Sequence, residues 1–134
     1  MRRLLPLVLS WACMAFATDR NSTIAGVWRA EMGGLPALVM TISDEGGDLT
    51  GAILFYLIRR DDGQPPHSSP GIPEPLFHLK FDGKVLEFQV SHRRAHPPRT
   101  AHDPPTSFQL RITSPNEGIL TREENEAIPV RRDK

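Results

Sequence analysis

Several groups of residues in this chain have the types and spacing for chemistry. His92, His96, His102 and Asp103 fall within one short stretch. Imidazole with carboxylate is the donor set of zinc, copper and nickel sites. Pro97-Pro98 follows His96 and Pro104-Pro105 follows Asp103, and such stiff dipeptides work against convergence on one ion. The plainer reading is a solvated basic loop, so no metal or other cofactor is expected.

Arginines form the second group. Arg59-Arg60 and Arg93-Arg94, with Arg99 nearby, offer guanidinium forks suited to a carboxylate or phosphate. Asp61-Asp62 offsets part of this charge. Tyr56, Phe77 and Phe88 supply aromatic surface in the adjoining segments. Together they suit a small molecule with a lipophilic body or an anionic head. The competing readings are ordinary charge at strand ends and an aromatic-rich core.

Enzymatic signatures are absent. There is no Gly-x-Ser-x-Gly, no phosphate loop and no His-Glu-x-x-His. Ser91 and His92 are sequence neighbours, which sets their side chains on opposite faces of a strand. Glu87 and His78 are an acid–base pair that nothing else in the sequence supports. No catalytic residue is expected.

The elements that must position these residues are strands. Ten glycines and thirteen prolines cut the chain into short segments, and no stretch of helical length has a clean 3.6 period. Alternation predicts strands over 24–32, 35–43, 49–60, 76–81, 85–92, 106–113, 117–122 and 127–132. Within the fourth, Phe77, Leu79 and Phe81 share one face, with Leu76, His78 and Lys80 on the other. The run from Ala52 to Ile58 is apolar on both faces. Gly46-Gly47, Asp82-Gly83 and Pro115-Asn116 mark tight turns. Two longer proline-rich loops are expected over 64–75 and 93–105, since their prolines interrupt pairing. Sequential strands joined this way pair as neighbours, and closure removes exposed edges. The fold expected is an all-β, about eight-stranded, antiparallel up-and-down barrel without substantial helix. In that arrangement the third and fifth strands end together, so the two arginine pairs rim one end, beside both long loops.

The amino terminus reads as a removable leader. Arg2 and Arg3 precede an apolar run from Leu4 to Phe16, and Ala15-Phe16-Ala17 is a small-x-small cleavage signal. Cleavage after Ala17 leaves one domain over 18–134, exported to a periplasmic or extracellular space. The run is short for a membrane span, and no later stretch is long enough. Cys13 is the single cysteine. Ser10-Trp11-Ala12 before it departs from a lipobox, so a lipid anchor is not the favoured reading. The domain then has no thiol, which excludes disulfides, thiolate metal sites and cysteine nucleophiles. The full chain has sixteen basic and sixteen acidic residues, a balance unlike that of a nucleic-acid binder.

Gly26 and Trp28 open the first strand, as in many small closed barrels, and are read as closing one end. Ile24–Trp28, the Leu38–Ile42 strand, Gly46–Gly51 and Phe81–Phe88 together resemble the small secreted lipocalin-like (calycin-like) barrels of bacteria. That resemblance implies a barrel closed at its base by Trp28 packing with a late-strand arginine, Arg122 or Arg131. With Trp28 closing one end, a site is expected at the other, beneath Arg59, Arg60, Arg93 and Arg94. The expected function is binding of a small lipophilic or anionic-headed ligand in or at the barrel mouth. One alternative is a closed-core envelope module that presents its loops, and an apolar patch around Ala52–Ile58, to a protein partner. The other is metal binding through the 92–103 stretch.

Overall fold

Two glycine pairs set the first hairpins. Gly33–Gly34 joins β1 (Gly26–Met32) to β2 (Leu35–Glu45), and Gly46–Gly47 joins β2 to β3 (Asp48–Arg59). All four have positive φ, from 59° to 98°, as two-residue turns matched to the strand twist require. Further along the chain lie β4 (His67–Pro70), β5 (Glu74–Phe81), β6 (Val85–Val90), β7 (Thr106–Ser114), β8 (Glu117–Arg122) and β9 (Glu126–Arg132). The computed structural model describes residues 20–91, 105–123 and 126–134; the leader expected over 1–17 lies outside them.

Eight strands close into a barrel. The order runs β1, β2, β3, β5, β6, β7, β8, β9 and back to β1, with every pairing antiparallel. This is the all-β architecture that the alternation predicted. The base carries the Gly46–Gly47 and Pro115–Asn116 turns and a 3-10 turn, Arg20–Thr23, just before β1. Asn21 Nδ2 donates to Gly47 O at 2.6 Å and fastens that turn to the barrel. The rim carries the Gly33–Gly34 turn and the far ends of β3, β6 and β8.

Three local expectations are corrected. The segment 64–75 is only partly a loop. β4 pairs with the upper half of β3, from Arg59↔His67 to Tyr56↔Pro70, and β5 takes over at Ile53↔Glu74. The two strands share one lane along β3, offset by a residue where Gly71 N–H donates to Phe55 O at 2.8 Å. Their prolines sit near strand ends, where a missing N–H removes no central ladder bond.

The second correction concerns β5. Its register with β6 slips between Phe77 and Lys80, and His78 has φ 52°. This bulge reverses the alternation. Leu76 is buried, Leu79 and Phe81 are half-buried, and Phe77 is exposed rather than sharing their face. The third is the β5–β6 turn, which lies one residue later than expected. Asp82 N–H donates to Val85 O, so Gly83-Lys84 is the two-residue turn. Asp82 flanks it and accepts from the Lys84 and Val85 amides, both at 2.8 Å.

Every barrel strand contributes to one buried apolar cluster, with Trp28, Met40, Ile53, Leu86, Leu110 and Leu120 among its members. Phe88 and Phe108 stack at 5.4 Å, and Phe108 and Phe55 at 5.9 Å. That stack carries the core up to the rim, where Phe55 and Leu57 become exposed.

Candidate functional site

The two ends of the barrel are built differently. At the base, Trp28 is fully buried and its Nε1–H donates to Ile24 O at 2.9 Å. Arg132 lies over the ring, its guanidinium carbon 5.4 Å from the centroid. The same guanidinium donates to Thr23 O at 2.6 Å, Ala25 O at 3.2 Å and Pro115 O at 2.6 Å. Its Nε donates to Asn116 Oδ1 at 3.3 Å. Gly26 has φ 139°, and a side chain there would come within 2.9 Å of Arg132 Cδ, so both backbone and space call for glycine. The polar groups here are satisfied by the chain itself, so this end closes the barrel.

The arginine over Trp28 is thus Arg132, neither Arg122 nor Arg131. Register decides this. Trp28 pairs with Arg132, whereas Arg131 pairs with Arg29 and its side chain is 84% exposed, 3.8 Å from Glu117. Arg122 stands at the other end of the barrel, 3.5 Å from Glu126. The alternation of Ile128, Val130 and Arg132 along β9 was the available signal, since it puts Arg132 on the inward face.

At the rim the wall opens. β1 and β2 pair through Ala30↔Leu38 and then Glu31↔Pro36, which leaves Ala37 as an extra residue on β2. Such a bulge bends its strand. The β2–β3 ladder ends at Leu38↔Phe55, next to it. Beyond that point β3 turns its hydrogen bonds to β4 alone, and Pro36 has no amide hydrogen to offer. A groove of about 520 Å³ results, lined by Met32, Leu35, Tyr56, Ile58, Arg60 and Pro66. Tyr56 is the chain's single tyrosine.

This groove joins two of the residues expected at a ligand site, Tyr56 and Arg60. Arg59 is one position earlier on the strand and does not line it. Phe88 is buried in the core, and Phe77 lies exposed on β5. Arg93 and Arg94 lie outside the described residues, as do His92, His96, His102 and Asp103. Among the described residues, no group of three or more His, Cys, Asp or Glu is placed to hold a metal ion.

The electrostatics near the groove are anchored by Arg29. Its Nε donates to Asp133 Oδ2 at 2.7 Å. That hydrogen bond, then the charge of Asp133, raises the guanidinium above its usual range, and Tyr56 adds a smaller share. Tyr56 and Arg60 both line the groove. The Ala37 bulge that opens the groove was not read from the sequence; Pro36 inside an otherwise apolar strand was its one trace.

Comparison with protein-family models, with curated proteins and with solved structures finds no match.

Proposed function

We propose that this chain is an exported, lipocalin-like binding barrel without catalytic activity, whose ligand is a small amphipathic molecule with an anionic head. The observation that carries this reading is the rim groove. Apolar walls from Met32, Leu35 and Ile58 lead to Arg60, with the Tyr56 hydroxyl alongside. A concave, mostly apolar site with a few polar groups is the usual form of a small-molecule site. The Gly26, Trp28 and Arg132 arrangement supports the lipocalin-like assignment. On this reading the ligand sits in the rim groove, on the face of β3 opposite Phe55 and Leu57, while the apolar cluster fills the barrel.

Export is tested by expressing the full chain in a Gram-negative host and weighing the recovered protein. The expected mass is that of residues 18–134 in the periplasmic fraction. Intact chain in the cytosol overturns export, and a lipid adduct at Cys13 overturns the soluble product.

Binding is tested on that recovered protein with dodecanoate against dodecanol, following Tyr56 and rim-residue signals by NMR. Dodecanoate is expected to shift Met32, Tyr56 and Ile58, with dodecanol weaker. Arg60→Ala should weaken dodecanoate roughly fivefold, because an exposed charged contact contributes only about 1 kcal/mol. Equal binding of both probes, or of wild type and Arg60→Ala, sinks the anionic-head reading.

A further inference from the structure

A second groove lies on the outer surface of the barrel, over the bulge in β5. Its volume is about 300 Å³, and it is lined by His78, Lys80, Glu87, Gln89, Ser107 and Gln109, with Phe88 and Phe108 behind them. We propose that this groove is a carbohydrate site that takes one neutral hexopyranose unit.

The strand registers build it. Gln89 faces Ser107 and Glu87 faces Gln109 across β6–β7, while Phe77 faces Gln89 and Lys80 faces Glu87 across β5–β6. Two outward rows result, one of Phe77, Gln89 and Ser107, the other of Lys80, Glu87 and Gln109. The bulge at His78 separates them, and the groove runs between.

The chemistry of these rows fits a ring of hydroxyls. Each hydroxyl both donates and accepts, so its best partners are groups that do the same in one plane. Gln89 and Gln109 provide two such amides, Ser107 a hydroxyl, Glu87 an acceptor and Lys80 a donor. Their mutual bonds are long, 3.5 Å from Gln89 Nε2 to Ser107 Oγ and 3.4 Å from Gln109 Nε2 to Glu87 Oε1. Bonds of that length are weak, so a ligand displaces them at little cost.

Charge selects against other small ligands. Lys80 and Glu87 oppose each other, so the groove has no net sign to attract a phosphate or an ammonium. Nor does it need any of the rim residues, which makes it independent of the groove beside Arg60.

The backbone gives a separate reason to regard the place as built. His78 is one of two non-glycine residues with positive φ among the described residues, the other being Glu123 in the β8–β9 turn. Positive φ inside a strand is strained, and retained strain tends to mark sites where a side chain is being aimed.

The test is NMR titration of the exported protein with glucose, galactose, mannose and N-acetylglucosamine, each free and as a soluble oligomer. At least one series is expected to shift the side-chain amides of Gln89 and Gln109 and the backbone of 77–80 at millimolar concentration. Gln109→Ala and Gln89→Ala should each weaken that binding about fivefold, the loss of a typical hydrogen bond. Arg131→Ala, at the base, should leave it unchanged. Silence of these signals for every sugar at tens of millimolar overturns the proposal. So do shifts confined to the rim, or shifts that survive both substitutions in proteins whose spectra remain folded.

Discussion

Arg132 lies 5.4 Å over Trp28 while donating to the carbonyls of Thr23, Ala25 and Pro115. One side chain therefore covers the buried ring and binds the segment before β1 to the β7–β8 turn. Arg132→Ala removes the cation over the ring, a contact of about 1 kcal/mol. It also leaves backbone acceptors without their donor, at about 1 kcal/mol each. The expected loss is roughly 2–4 kcal/mol, measured by denaturation followed through Trp28 fluorescence. Arg132→Lys keeps the charge but not the fork, so it should recover less than half.

Gly26 answers to the same arginine. Its φ is 139°, a region that side chains avoid, and an added Cβ meets Arg132 Cδ. Gly26→Ala should cost about 2 kcal/mol from backbone strain together with the clash. In an Arg132→Ala background the clash disappears and the strain remains. A double-mutant cycle should therefore show a smaller Gly26→Ala cost there, and strict additivity would contradict the shared contact.

How much of this was legible differs by level. Strand positions and closure followed from period-two alternation and turn residues, because each hairpin carries its own local signal. What depended on register was not legible. Alternation along β9 sets Arg132 on the face of Val130 and Arg131 on the other, but which late-strand arginine meets Trp28 is fixed only when β9 is aligned with β1. Phe77 reads as sharing a face with Leu79 until the bulge at His78 reverses the parity. β4 was hidden by its prolines, which are tolerated only because of where they fall in the lane beside β3. The rim groove depends on Ala37, a residue with no chemistry of its own, placed where one extra residue parts β2 from β3.

His78 offers a test of stored strain. It is exposed and its φ of 52° is unfavourable for most side chains. Replacement by glycine removes that penalty, so His78→Gly should stabilise the fold by about 1 kcal/mol. A thermal melt that falls instead would show that the imidazole makes contacts outweighing the backbone cost.

The β5–β6 turn predicts an acid dependence. Hydrogen bonds from the Val85 amide, then the Lys84 amide, hold the Asp82 carboxyl below the usual carboxylate range. A group whose pKa is lower folded than unfolded stabilises the fold above its unfolded pKa, about 4. That contribution is lost as pH falls through the folded value. Asp82→Ala should lower the melting temperature near neutral pH, and the difference from wild type should shrink towards about pH 2. A difference independent of pH would assign the effect to turn geometry alone.

The rim reading makes its sharpest prediction about two neighbouring residues. Ile58 lines the groove with Tyr56 and Arg60, while Leu57, between them in sequence, is 55% exposed on the opposite side of the strand. Strand geometry turns adjacent side chains to opposite faces. Ile58→Glu and Leu57→Glu should each change stability by no more than about 1 kcal/mol, since neither residue is fully buried. Their effects on dodecanoate should part. A carboxylate at 58 opposes the anionic head and wets the apolar wall, so binding should fall at least tenfold. The same carboxylate at 57 faces away and should leave the affinity within about twofold, on the scale where 1.4 kcal/mol is a factor of ten. If both variants lose binding equally, the ligand occupies the barrel mouth at large and the groove between β2 and β3 is not its seat.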